Sequence, residues 1–381
     1  MLRTLYDLRQ SYNVNTEKKV FIVAGEASGD LHASNLIKEM LLLNPNYIFF
    51  GWGGDRMIKE GVAIQKHLSE LAFMGFVEVL LNLRTILNNF KICKEQILNF
   101  NPDFIVLVDY PGFNLRIAKW AKKNGIKVIY YISPQIWAWK QSRVYQIKEN
   151  VSKMYCILPF EKDFYQRFDV SVEYLGHPLL DEVNAFNDGE NHSIQSEKPI
   201  LAVLPGSRKQ EIERKLPIML EAASKFDSYE IIVACAPSLE SDFYKKFERE
   251  NVKFIKNQTY ELLNSATMAI VTSGTATLET ALFRVPQVVC YKSSSISYWI
   301  ARSLVKIKYI SLVNLILNKE AVRELIQFDC TADSIIAELE LIKIGGGNRQ
   351  NVLNSYNELI HLLGDNGASK RIAEKIWSEF G

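Results

Sequence analysis

Three things are scarce in this sequence of 381 residues: net charge, paired cysteines and long apolar runs. Lys plus Arg number 45 against 43 Asp plus Glu, a net charge of +2, so no general field draws the chain onto nucleic acid and an electrostatic partner must meet a local patch. Cys93, Cys156, Cys235, Cys290 and Cys330 stand far apart. Their spacing matches neither a disulfide frame nor a zinc site, and a reducing compartment fits. The longest apolar stretch, Leu71–Leu83, carries Glu78 and falls well short of the about 20 residues of a spanning helix. It reads either as a buried helix or as a surface that enters lipid. Residues 1–19 lack the apolar centre of a secretory signal, so the cytoplasm is the expected location.

Some motifs are missing too. Without G-x-x-x-x-G-K-[ST], P-loop hydrolysis of a nucleotide is not expected, and without G-x-G-x-x-G after the first strand a dehydrogenase reading weakens. No Asp-x-Asp pair stands ready to hold a divalent ion against a diphosphate.

What is present is a globular composition, 48% hydrophobic and 23% charged, in a chain long enough for two domains. A β-branched run, Val20–Ala24, opens a strand-loop-helix unit, and strands are predicted again near Ile48–Phe50, Phe104–Val108, Lys127–Ile132, Met154–Leu158 and Val172–Leu175. Runs apolar on both faces with helical spacing between them imply a parallel sheet covered on both sides. The polar text from Asp181 to Pro199 reads as a linker, placed at 183–198. A second series follows at Ile200–Leu204, Ile231–Ala234, Val252–Ile255, Ala269–Thr272 and Gln287–Tyr291, and after about Glu320 only helical patterns are expected. The fold class is therefore α/β: two Rossmann-like domains, 19–182 and 199–345, facing a cleft. Helices at 346–381 are expected to cross back to the first domain, and residues 1–18 form an extension.

Ligands of open parallel sheets bind beyond the carboxyl ends of the strands, so the loops there carry the candidates. In VTSGTATLE a buried strand ends at Ser273-Gly274 and a helix starts at Thr275 and Ala276. Free N–H groups at that start favour a phosphate or pyrophosphate. Glu279, about 6 Å further along the helix at 1.5 Å per residue, is placed to accept both hydroxyls of a ribose. An ordinary helix cap with a surface Glu is the alternative. VLPGSR is a second strand end, where Ser207 and Arg208 suit a diphosphate, unless Arg208 merely pairs with Glu211. In the first half, Gly25-Glu26-Ala27-Ser28-Gly29-Asp30 reads as a loop, with Asp30 either facing the cleft or capping its helix. Asp109, directly after FIVLV, is the preferred general base, since apolar walls raise a carboxyl pKa. Capping of the next helix is the competing role. His177 reads as structural. Trp137 and Trp139, beside Lys140 and Arg143, suit an acyl or phosphate-bearing ligand at a membrane surface or, equally, a core. Arg302, Lys306 and Lys308 read by default as a solvated face.

Eight phrases taken in order, VAGEASGD, MGFVEVL, SPQIWAWKQSRV, LPFEKDFY, LGHP, LPGSR, SGTATLE and SLVNL, resemble the lipid-A-disaccharide synthases, inverting glycosyltransferases of the two-domain GT-B type. The resemblance runs from about Lys19 to the C-terminal helices. It implies UDP-2,3-diacylglucosamine as donor and 2,3-diacylglucosamine 1-phosphate as acceptor, a β-1,6 linkage, release of UDP, and neither metal nor organic cofactor. The first domain would then be the acceptor side and the second the UDP-sugar side. The protein would sit peripherally on the cytoplasmic membrane surface, at the inner membrane of a Gram-negative bacterium, and a homodimer is among the partners this admits. The family's essential acid falls on Asp109, its diphosphate arginine on Arg208, its ribose acid on Glu279 and its asparagine on Asn314. The chain departs from the family pattern at Gly112, where an Asp is common, and at Val313, where a Pro is common. Two rival readings are another GT-B transferase or epimerase using a UDP-sugar with a soluble partner, and a non-catalytic nucleotide-sugar sensor.

Overall fold

The computed structural model describes residues 17–71, 83–189, 193–294, 298–299, 302–303 and 307–381. The apolar stretch 71–83 apart from its ends, the motif MGFVEVL within it, most of the N-terminal extension and Lys306 lie outside these residues.

The chain divides into two compact units, one running to Pro178 and resuming at Asn366–Gly381, the other Leu179–Asp365. In the first, β1 (Lys18–Ala24), β2 (Tyr47–Gly53), β3 (Ala63–His67), β4 (Phe104–Val108), β5 (Lys127–Tyr131), β6 (Lys153–Cys156) and β7 (Glu173–Tyr174) form one sheet. Its order is β3-β2-β1-β4-β5-β6-β7, and every pairing is parallel. The second unit repeats the plan with β8 (Ile200–Leu204), β9 (Glu230–Cys235), β10 (Val252–Lys256), β11 (Ala266–Thr272), β12 (Gln287–Tyr291) and β13 (Arg323–Ile326). Their order is β10-β9-β8-β11-β12-β13, again parallel throughout.

Central strands such as β4 and β8 are buried at every position, which is why their sequences run apolar without alternation. In the first unit Val20, Ile22, Val106 and Val108 pack with Leu36, Ile37 and Met40 of the helix Ala27–Leu43. The last helix, Ala368–Phe380, adds Ile372, Ala373 and Ile376 to the same core. Trp377 meets Tyr47 edge-on at 5.9 Å between ring centroids, Phe380 tilts against Phe104 at 5.6 Å, and Arg371 Nε donates to the Leu175 carbonyl at 2.9 Å. In the second unit Ile200, Ala202, Leu204, Ala269 and Val271 pack with Leu262, Leu263 and Val285.

Four expectations about organisation are corrected. The segment expected as linker begins as a helix, Pro178–Asp188. Leu179, Leu180 and Val183 are buried along one stripe, and Phe186 packs edge-on against Tyr260 and Phe283. Helix Arg349–Leu363 stays with the second unit, beside Leu312–Leu317, so the tail returns with its last helix alone. Strand β13 interrupts the region read as wholly helical after Glu320. Strand β3 was not expected either; it is an edge strand without a fully buried residue.

Each sheet reverses its strand order once, between β1 and β4 and between β8 and β11. A crevice opens beyond the carboxyl ends of the strands at such a point. There Ala24 lies level with Val108, and Leu204 with Val271. The candidate residues follow these four strands. No helix among the described residues is long and apolar enough to cross a membrane.

Candidate active site

In the first unit Asp109 and Tyr110 both adopt the left-handed conformation, with φ of 46° and 47°. Two consecutive non-glycine residues there cost of order 1–3 kcal/mol each and persist only where the surroundings fix them. The surroundings do so. The Asp109 amide donates to the Tyr131 carbonyl at 3.0 Å, and the Asp109 carbonyl accepts from Tyr130 OH at 2.6 Å and from Asn114 Nδ2 at 2.8 Å. Asn114, fully buried, also donates from the same nitrogen to the carbonyls of Val108 at 3.1 Å and Val23 at 3.4 Å, tying the ends of β4 and β1 together. Pro111 starts the following helix, Pro111–Lys123, where its missing N–H costs nothing. Tyr110 lies over Gly25, where an added Cβ would come within 2.5 Å of its ring.

Asp109 is half-buried, and burial, then the nearby Glu26 charge, push its carboxyl up to about 7, against a lowering from the Tyr110 amide. Its side chain can therefore exist as either acid or base near neutrality. Helix capping, the competing role, is not what positions it: the residue at the helix cap is Tyr110.

The loop read as Gly25–Asp30 is shorter than expected. The helix begins at Ala27, with half-buried Glu26 at its cap. Ser28 sits in the first turn, and Gly29 is buried against Ala24 and Val108. Asp30 neither caps its own helix nor faces open space: it is buried, and its oxygens accept from the amides of Gly54 at 2.7 Å, Arg56 at 3.1 Å and Met57 at 3.3 Å. It caps the neighbouring helix Asp55–Lys59 instead.

The two indoles part company. Trp137 is core: Nε1 donates to Glu161 Oε1 at 3.1 Å and the ring meets Phe160 edge-on. Trp139 is 44% exposed, with Lys140 Nζ 4.4 Å and Arg143 Cζ 5.5 Å from its ring centroid. Glu161, to which no role was given in advance, is fully buried, and burial pushes its carboxyl up to about 7 although the amides of Leu158 and Ile157 and the Trp137 indole donate to it. It is the fourth residue of the LPFE phrase, shortly after a strand, a signal of position but not of partners. His177 is buried, and burial holds its imidazole down at about 3, so it stays neutral. The structural reading of that residue agrees with this placement.

In the second unit Gly206 has φ of 104° and Gly274 φ of 152°, conformations that favour glycine. An added Cβ at Gly274 would meet nothing within 4 Å, so the backbone is open to approach there. Helix Thr275–Leu282 begins directly after it, and its first amides have no intrahelical acceptor. Ser273 is anchored by its amide to the Cys290 carbonyl at 3.1 Å and by its hydroxyl to the Ile310 carbonyl at 3.0 Å. Thr272 Oγ1 donates to the Pro205 carbonyl at 2.8 Å, a stitch between the ends of β11 and β8 that parallels Asn114. Ser207 and Arg208 are exposed; Arg208 caps helix Lys209–Ala223 and its guanidinium meets Glu211 at 3.0 Å. Glu211 also meets Lys215 at 3.4 Å, a lysine buried to 1% exposure. Glu279 is half-buried and accepts from Tyr260 OH at 3.0 Å, a partner that sequence reasoning missed.

Asn314, expected among the donor-binding residues, is fully buried, and its side-chain amide is engaged on both sides. Nδ2 donates to the Val322 carbonyl at 2.8 Å and Glu324 Oε1 at 2.9 Å, and Oδ1 accepts from the amides of Ala321 at 2.8 Å and Val322 at 3.0 Å. Glu324 in turn binds Ser311 and the Ile310 amide. The network acts at one remove, by fixing the Ile310 carbonyl that holds Ser273.

The family model described as lipid-A-disaccharide synthetase matches residues 20–376. The chain belongs to this family. It is 38% identical over 371 residues to the lipid-A-disaccharide synthase of Myxococcus xanthus (strain DK1622), covering 94% of this chain and 96% of that protein. With the enzyme of Nitrosococcus oceani the identity is 41% over 371 residues, at the same coverage of both chains. Among solved structures it is similar to a UDP-GlcNAc 2-epimerase from Neisseria meningitidis bound to UDP-GlcNAc, with TM-score 0.66 and 13% identity over 95% of this chain and 100% of that one. It is also similar to the glycotransferase of kitacinnamycin, with TM-score 0.67 and 12% identity over 95% and 99% of the two chains. These two likenesses show the fold alone, an α/β fold of the GT-B type.

Proposed function

We propose that the chain catalyses the reaction its family is named for, as an inverting hexosyltransferase. 2,3-Diacylglucosamine leaves its UDP conjugate and joins the 6-hydroxyl of 2,3-diacylglucosamine 1-phosphate, giving a β-1,6-linked disaccharide and UDP. The full-length family match supports the activity, and the held, half-buried Asp109 supports the chemistry.

In this reading Asp109 takes the proton of the acceptor hydroxyl as the oxygen bonds to the anomeric carbon and the bond from that carbon to the diphosphate breaks. Negative charge building on UDP is met by Arg208 and by the amides at Thr275 and Ala276. Glu279, oriented by Tyr260, accepts from the ribose. Ser207 and Ser273 border the same two strand ends, and Gly274 lets the diphosphate approach the backbone. Burial, and then the Glu26 charge beside it, raise the affinity of the Asp109 carboxylate for the proton it takes. The exposed Trp139 with its two cations supports collection of the acylated acceptor from the cytoplasmic membrane surface.

The test is an assay for disaccharide and UDP formation with defined acyl donor and acceptor in detergent, chelator present. Formation of both products supports the reading. UDP released as fast without acceptor as with it, or a sugar epimerised rather than transferred, would replace it.

A further inference from the structure

Arg116, on the outer face of helix Pro111–Lys123, Lys140 and Arg143, the first residue of helix Arg143–Asn150, come from two helices that pack side by side and the loop between β5 and the second of them. Lys140 and Arg143 flank the exposed Trp139 ring at 4.4 and 5.5 Å, and Arg116 lies 5.4 Å from the Phe90 ring centroid. Among the described residues no carboxylate lies within ion-pair distance of any of the three. Arg143 is half-buried, and burial, with the Arg116 charge adding to it, disfavours its cationic form; only the Tyr130 phenol opposes this. Gathering cations without a counter-charge is unfavourable, and ring faces offset it only in part. An arginine fork and a lysine are the donors that a phosphate takes.

The position matters as much as the charge. Tyr130, whose hydroxyl holds the Asp109 carbonyl at 2.6 Å, is also the phenol that interacts with Arg143. The same tyrosine thus links Arg143 to the backbone of the proposed base. We propose that Arg116, Lys140 and Arg143, with Trp139 between two of them, form a subsite for a sugar phosphate monoester, the anomeric phosphate of the acceptor. This rests on the reading of Asp109 as the base that serves that acceptor.

Steady-state kinetics in detergent micelles, with 2,3-diacylglucosamine 1-phosphate and with the same acceptor lacking its phosphate, test it. The wild-type protein should prefer the phosphorylated acceptor. In Arg143→Gln and in Lys140→Gln combined with Arg116→Gln, KM for the phosphorylated acceptor should rise at least about tenfold. The preference between the two acceptors should collapse while KM for the donor moves less than about twofold. An unchanged acceptor preference overturns the proposal, and so does the case in which the variants lose only their binding to phosphatidylglycerol vesicles, since the cations then serve membrane headgroups. If the wild-type protein makes no disaccharide, the proposed activity fails by itself. Calorimetric binding of glucosamine 1-phosphate to wild type and Arg143→Gln then decides the subsite: weaker binding by the variant supports it, equal binding overturns it.

Discussion

The Tyr130 hydroxyl donates to the main-chain carbonyl of Asp109, the residue proposed as base, at 2.6 Å. Together with Asn114 it turns that carbonyl inward and keeps the residue left-handed, so orientation of the side chain is set by contacts to the main chain. Tyr130→Phe removes one donor and leaves the ring. Turnover should fall about tenfold with donor KM unchanged, following the loss of about one net hydrogen bond. A variant with wild-type turnover would show that Asn114 alone suffices.

Asp109→Asn should lower kcat by roughly 10²–10⁴, the usual share of a general base. In the wild-type protein kcat/KM should rise with pH through about 7, because the carboxyl must lose its proton to act; in the variant that rise should vanish. The stability effect has the opposite sense. A carboxyl whose folded pKa is raised contributes stability below its unfolded value near 3.9, and this is lost as pH climbs to about 7. Melting temperatures should therefore favour Asp109→Asn over wild type at pH 8 by a few degrees, and by less at pH 4.

Arg208→Ala should weaken UDP binding at least about tenfold, since charge-assisted hydrogen bonds to a diphosphate are lost. Isothermal calorimetry with UDP reads this directly. Glu211→Gln breaks the ion pair with Arg208 and leaves the buried Lys215 with a neutral partner, so its melting temperature should drop while UDP affinity holds or improves.

Asn314→Ala should act on stability. Four hydrogen bonds inside a buried network are broken, and stranded partners cost about 1–3 kcal/mol each where water cannot reach them. Chemical denaturation should show a loss of several kcal/mol, whereas Ser207→Ala, at an exposed position, should lie within about 0.5 kcal/mol of wild type.

Gly25→Ala introduces a methyl group 2.5 Å from the Tyr110 ring. The ring must move, and Asp109 with it, so turnover should fall at least about tenfold while UDP binding is kept. Pairing the change with Tyr110→Ala should restore the melting temperature.

Much of this was legible in the sequence, and the reasons are local. Strands β4, β8 and β12 announce themselves because burial on both faces demands uninterrupted apolar residues. Strands β3 and β13 carry charges on sheet edges and so look like anything else. The polar text after Asp181 hid a helix because only Leu179, Leu180, Val183 and Phe186 had to be apolar. At the site, Asp109, Arg208 and the Ser273–Ala276 turn follow from chain position alone: each comes just after a strand. Tyr130, Tyr260 and Glu161 were missed because their roles depend on which side chain faces them across the fold. The partners that bury Asn314 were hidden for the same reason, since a motif does not tell which groups a side chain will meet.

The return of the last helix to the first unit has a bearing on synthesis. Ribosomes deliver the amino end first, yet Ile372, Ala373 and Ile376 belong beside Leu36 and Ile37 in the earliest core. Until those closing residues emerge from the exit tunnel, the nascent first sheet keeps an oily seam uncovered, and a chaperone has something to hold.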